Sequence, residues 1–238
     1  LYDHLADYVD GNNKNPSRLS RLPNCKRGGI GEQQLLAVNI GCESWSEWEN
    51  HIKAETVGEV FDLRRLATMD TSEDPHSVLG DRWLCKGGSC LFVGQSGIGK
   101  SSFVMQLAIN WTLGRPTFGI TPVRPLSCLV IQAENDAGDV AEQIQGAMSG
   151  LNLNVDDDAF AALEQRLTII NDSVNTGEQF TESLRVLVGK HRPDIVFIDP
   201  LLSFVGGDIS NQETCSIFLR NLLNPISKES GVIWFCAH

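Results

Sequence analysis

The chain has 238 residues, enough for one sizeable hydrophobic core or for one domain with an appendage. Its 42% apolar and 21% charged residues are ordinary for a globular protein, and no apolar run approaches the roughly 18 residues needed to span a bilayer. A formal net charge of −11 excludes a broad basic surface for nucleic acid, although it leaves room for a local one.

The start, LYDHLADYVD, is acidic and lacks the apolar centre of a signal peptide, so a cytoplasmic protein is expected. There is no initiator Met, and the other end, VIWFCAH, stops at the edge of an apolar run. The chain therefore reads as a piece of a longer one. The seven cysteines (Cys25, Cys42, Cys85, Cys90, Cys128, Cys215 and Cys236) are odd in number and form no CxxC pair. Reduced thiols without a metal or disulfide role are expected.

In chain order, residues 1–55 form a basic, irregular to helical segment. Within it, residues 11–31 carry Lys14, Arg18, Arg21, Lys26 and Arg27 and no acid. Two short helices are predicted at 32–38 and 44–55, the second placing Trp45 and Trp48 on one face. Turn signals in TSEDPHSVLGD make residues 56–80 a predicted linker.

From 81 to 238 short apolar strands alternate with helices. Strands are predicted in RWLC and SCLFV, either side of the Lys86–Gly87–Gly88 turn, and then a helix at 100–113. The loop GRPTFGITPVRP leads to a strand at 126–133 and a helix at 137–150. Strand 167–170, helix 178–190, strand 195–198, helix 212–228 and strand 232–236 follow. This alternation predicts an α/β fold, a mostly parallel sheet with helices on both faces.

The segment GQSGIGKS, Gly94–Gln95–Ser96–Gly97–Ile98–Gly99–Lys100–Ser101, matches G-x-x-x-x-G-K-[ST] in full, between an apolar strand and a helix. Glycines let successive backbone N–H groups turn toward one phosphate, and the helix N-terminus adds its dipole. Lys100 is the candidate contact to the β- and γ-phosphates of ATP, and the Ser101 hydroxyl a candidate Mg²⁺ ligand. Ser102 follows as a further hydroxyl at the helix start and is grouped with the nucleotide-binding residues.

In DIVFID, Asp199 ends an apolar strand, the Walker-B pattern that places a carboxylate beside the metal. Asp194 precedes the same strand and should be a solvated cap at the opposite end of the sheet. LVIQAEND ends the strand after the P-loop helix with Glu134. Ligands of open parallel sheets bind at the strands' carboxyl ends. Glu134 is therefore the candidate base for the attacking water. Asp136, a runner-up, better fits the start of the next helix.

These segments, with IVFIDPLLSFVGGDISNQE, resemble the RecA-like ATPases grouped with the plasmid replicative helicase RepA, over about residues 80–238. The resemblance implies a RecA-type core, ATP hydrolysis with Mg²⁺, and self-association, often as a hexameric ring around single-stranded DNA. It also implies that His238, ending VIWFCAH, senses the γ-phosphate. It places a trans-acting Arg or Lys in a segment after His238, so this chain is expected to hydrolyse ATP poorly by itself. NKNPSRLSRLPNCKRGG is similar to segments ending primase-polymerase-like domains of replication proteins; the other reading is a basic linker. In SFVGGDISNQE, residues 203–213, the resemblance implies a mobile loop, with Ser203, Asn211 or Phe204 as candidate DNA contacts. Two functions stay open: a helicase-like replication motor, and an ATP-dependent DNA- or partner-binding switch without translocation. A small-molecule P-loop kinase fits less well, because no Arg-rich lid is present.

Overall fold

The computed structural model describes residues 61–72, 74–208 and 211–238, together with one short backbone ladder nearer the start. The chain divides into two compact units, Leu1–Thr68 and Met69–His238. In the first, β1 (Lys26–Arg27) pairs antiparallel with β2 (Gly31–Glu32), so Glu32 ends a ribbon rather than opening a helix. The rest of the two helices predicted at 32–38 and 44–55 lies outside the described residues. Helix α1 (Leu63–Ala67) forms within the predicted linker. Asp62 caps it by accepting the Arg64 N–H at 2.9 Å.

The second unit begins with a small antiparallel ribbon, β3 (Ser77–Leu79) against β4 (Leu84–Cys85). Then come β5 (Ser89–Phe92), α2 (Lys100–Thr112), β6 (Cys128–Gln132), α3 (Ala137–Gly150), α4 (Asp158–Arg166), β7 (Leu167–Asn171) and α5 (Gly177–His191). They are followed by β8 (Ile195–Asp199), α6 (Leu202–Val205), α7 (Gln212–Ser216), a π-helical stretch Ile217–Leu223, α8 (Asn224–Ser230) and β9 (Ile233–Ala237). The helix predicted at 212–228 is thus one element wound in three ways. The π turn runs into Pro225, which has no N–H to continue an i→i−4 ladder.

Five strands form one all-parallel sheet in the order β5–β9–β8–β6–β7. Residue parity explains its two packed faces. Cys128, Val130, Ile195, Phe197, Ile233 and Phe235 point to one side, against Val104, Ala108 and Trp111 of α2 and Leu163 of α4. Leu129, Ile131, Val196, Ile198, Trp234 and Cys236 point to the other, against Phe180 and Leu184 of α5 and Phe218. With both faces covered, β6, β8 and β9 are buried at every position, as central strands of a three-layer α/β fold should be.

Helix α2 is buried at eight of its thirteen positions, which accounts for its weakly amphipathic sequence. Helix α4 was not anticipated from the sequence; its nine residues bury only Leu163 fully, so its apolar stripe is short. No helix among the described residues is long and apolar enough to cross a membrane.

Candidate nucleotide site at the carboxyl ends of the strands

Strand β5 leads straight into the 94–101 loop, and α2 starts at Lys100. The loop curls through two left-handed residues, Gly97 (φ 79°) and Gly99 (φ 88°), where any side chain would be strained. The Lys100 ammonium turns back over the loop and donates to the carbonyls of Gly94 (2.8 Å) and Gln95 (2.9 Å). It is held where a phosphate oxygen could take over as acceptor.

The loop is tied to the far end of the chain. His238 N–H donates to the Phe92 carbonyl at 2.8 Å, and Gly94 N–H donates to the His238 carbonyl at 2.9 Å. The backbone pairing of β5 with β9 therefore brings His238 to the root of the loop, across some 140 residues of sequence.

Asp199 ends β8 and is 3% exposed. Burial pushes its carboxyl above the usual carboxylate range, and the nearby Glu134 adds to this. A hydrogen bond from Ser101 and the charge of Lys100 pull the other way. Asp199 Oδ2 is buried without a hydrogen-bond partner. An orphaned carboxylate oxygen beside a serine hydroxyl is a hard oxygen donor set, and it fits Mg²⁺.

Register places Gln132 directly across from Asp199. Gln132 is fully buried; its Oε1 accepts from Asn135 Nδ2 at 2.8 Å, while its Nε2 has no partner. Glu134 lies two residues further, exposed, with Oε1 accepting from Ser203 Oγ at 3.3 Å. Lys100, Ser101, Asp199 and Glu134 thus converge, although the four come from three segments far apart in the sequence.

A cleft of about 440 Å³ adjoins the loop, between Ile98, Ser102 and Gln106 on one side and Gln143 and Gly146 of α3 on the other. Gln143 Oε1 is buried there without a donor.

Other sequence expectations resolve differently. Asp136 caps α3 in a reciprocal box: Asp139 N–H donates to its Oδ1 at 2.9 Å, and its own N–H donates to Asp139 Oδ2 at 3.2 Å. Asp194 does lie at the opposite end of the sheet, but it is no solvated cap. It accepts two bonds from Arg124 (2.6 and 2.9 Å) and one from Ser127 N–H (2.9 Å).

The segment after β8 is also more ordered than a glycine loop. Phe204 is fully buried and stacks on Phe180 with ring centroids 4.2 Å apart, so it cannot stack on a base as expected. Ser203 turns to Glu134, and Asn211 caps α7 by accepting the Glu213 N–H at 2.8 Å. A Cβ on Gly206 would come within 2.7 Å of Gly177 N, so this glycine serves close backbone approach as well as its positive φ of 76°. Residues 209–210 lie outside the described residues.

The sequence reading passed over Gln132 and Gln143. For Gln132 a signal exists: an amide at the end of the otherwise apolar strand CLVIQ. Gln143 lies in the middle of a helix, where sequence alone does not mark it.

A phosphate loop between a strand and a helix, a buried acid two strands away and a covered parallel sheet define a P-loop nucleoside triphosphatase with a RecA-like core. The chain matches the family described as AAA domain over residues 59–238, and it belongs to that family. It is accordingly a nucleotide-binding ATPase domain. No curated protein matches it significantly. Among solved structures, a KaiC-like protein from the hyperthermophilic archaeon Pyrococcus horikoshii OT3 is similar, at 19% identity and a TM-score of 0.43. The alignment covers 68% of this chain and 66% of that one, so the chain spans just under two thirds of that protein's length.

Proposed function

We propose that the chain is the ATP-hydrolysing core of a helicase-like motor of DNA replication, working as a self-associated ring on single-stranded DNA. The observation that carries the hydrolytic part is the convergence of Lys100, Ser101, Asp199 and Glu134 at one end of the sheet. In this reading the loop N–H groups and Lys100 bind the β- and γ-phosphates. Ser101 and the free oxygen of Asp199 hold Mg²⁺, which neutralises phosphate charge when bound. Glu134, exposed and oriented by Ser203, accepts the proton of the attacking water. His238, tied by its backbone to the loop, reports the state of the γ-phosphate.

The coupling to DNA is supported by the resemblance of the motifs; a route for it within the chain is the hydrogen bond from Ser203 to Glu134. That bond joins the candidate base to the segment following β8. A chain of net charge −11 grips single-stranded DNA weakly as a monomer, so a ring would supply the affinity.

The test is ATP turnover by the full-length protein, in which the trans-acting residue implied by the resemblance would be supplied, with and without single-stranded DNA, followed by strand displacement. Stimulation of about tenfold or more, with directional displacement, supports the motor. Tight ATP binding with turnover indifferent to DNA overturns it in favour of an ATP-dependent switch that binds DNA or a partner without translocating.

A further inference from the structure

At the amino ends of β8 and β9, away from the nucleotide loop, the surface of the second unit holds a cleft of about 560 Å³. This is within the usual span of small-molecule sites, about 300–1,000 Å³. Its floor is apolar, made by Val78, Val188, Pro193 and Ile226, all buried. Its rim carries three cations, Lys86, Arg185 and Arg192, and two acids, Asp194 and Glu229.

Both acids are already engaged. Asp194 is saturated by Arg124 and the Ser127 N–H, and Glu229 is paired with Arg185. Lys86 packs its stem over Gly231, and neither its ammonium nor the Arg192 guanidinium has an acid to pair with among the described residues. Two exposed cations without an acid partner therefore line a cleft with an apolar floor, in a strongly acidic chain.

Helices α5 and α8 both end at this cleft, and each C-terminus contributes roughly half a negative charge. Together they offset about one of the two cations, so the cleft stays positive.

A second observation is independent of the charge count. Arg192 is the C-cap of α5 and is held at φ 46°, ψ 52°. Glycine or asparagine is the favoured residue in that left-handed position, so an arginine there is strained. Asp81, Arg82, Phe118 and Asn152 share that region, so the strain fixes where the Arg192 backbone sits at the rim, and what Arg192 brings to the cleft is the charge of its side chain.

We propose that this cleft binds a small phosphate monoester with an apolar body. The phosphate, carrying −1.5 to −2 near neutral pH, would match Lys86 and Arg192, and the body would lie on Val188 and Ile226. Arg192 supplies a fork suited to phosphate oxygens and Lys86 a point charge. The site is separate from the proposed nucleotide site and does not depend on it.

The experiment is a titration of the whole chain with phenyl phosphate, in the presence of excess Mg²⁺ and ADP, with inorganic phosphate as the comparison. Saturable binding of phenyl phosphate with a Kd on the order of 1 mM or tighter is expected. Arg192→Gly should weaken it about tenfold while the thermal midpoint stays level or rises, because glycine accepts the left-handed backbone freely. Lys86→Ala, a surface change, should also weaken binding. No saturation by about 20 mM, or equal affinity in both variants, overturns the site. Inorganic phosphate binding as tightly as phenyl phosphate overturns the role given to the apolar floor.

Discussion

Strand β8 is bracketed by two aspartates whose circumstances are opposite. Asp194, before the strand, has its carboxylate filled by the forked Arg124 and a backbone N–H. Asp199, at its end, is almost wholly buried and keeps one oxygen without any partner. The difference separates structure from function along a single strand. A satisfied acid stabilises the fold, whereas a buried acid with an empty lone pair is costly unless something else completes it. Asp194 is self-sufficient in that sense. Asp199 and Gln132 at the carboxyl end keep unpartnered atoms, as do Trp111, Thr112 and Trp234 elsewhere in the core. What marks the proposed ligand site is that the free oxygen of Asp199 lies beside Ser101, Lys100 and Glu134.

The comparison breaks most visibly at Glu134. Glu134→Gln should lower ATP turnover by about 10²–10⁴-fold while nucleotide binding persists, as phosphate release and a fluorescent-nucleotide titration would show. Turnover near the wild-type level would deprive the carboxyl end of its catalytic base.

Asp199→Asn comes next. It should abolish the strengthening of nucleotide binding by Mg²⁺, yet raise the melting midpoint of the nucleotide-free protein at neutral pH. The sign follows from its raised carboxyl. The native state holds the proton more tightly than the unfolded chain, whose ordinary value is 3.8. The stability conferred is complete below that value and is lost as pH rises through the raised native one. The advantage of the asparagine should therefore shrink on acidification. An advantage that is flat with pH would contradict the buried, unpaired state of Asp199.

The opposite end should respond with the opposite pattern. Arg124→Ala leaves Asp194 without its forked partner. The pair is partly solvent-exposed, so a loss of only about 1 kcal/mol is expected in chemical denaturation. Nucleotide affinity should not move, and a change there would show that the two ends are coupled.

The smallest effect is expected from Ser203→Ala. Removing one neutral hydrogen bond to Glu134 should lower kcat roughly two- to tenfold and leave KM alone. A rise in KM without a fall in kcat would place Ser203 in substrate binding instead.

Most elements of the second unit were legible because their signals are local. Helix α3 runs over the predicted residues because Asp136 and Asp139 cap it within one turn. The long apolar runs of β6, β8 and β9 announce central strands. Short or context-dependent elements were less legible. Helix α6 places Phe204 in the core, where Phe180 waits from a helix more than twenty residues earlier. In sequence the same stretch, followed by two glycines, resembles an open loop.

The sequence by itself determined the phosphate loop, since glycine backbone freedom, the lysine and the hydroxyl all lie within eight consecutive residues. It also determined the alternation of strands and helices, since burial on two faces is written as apolar runs. The order β5–β9–β8–β6–β7 was decided only in three dimensions, because parallel neighbours are joined through crossovers and pair segments far apart in the chain. That order puts Asp199 beside Gln132, His238 against the loop and Ser203 on Glu134. It also decided which aspartate of DIVFID would be satisfied. Arg124 lies 70 residues away from Asp194, and only the packed sheet brings its guanidinium into a forked pair at one end of β8 while one oxygen of Asp199 at the other end keeps no hydrogen-bond partner.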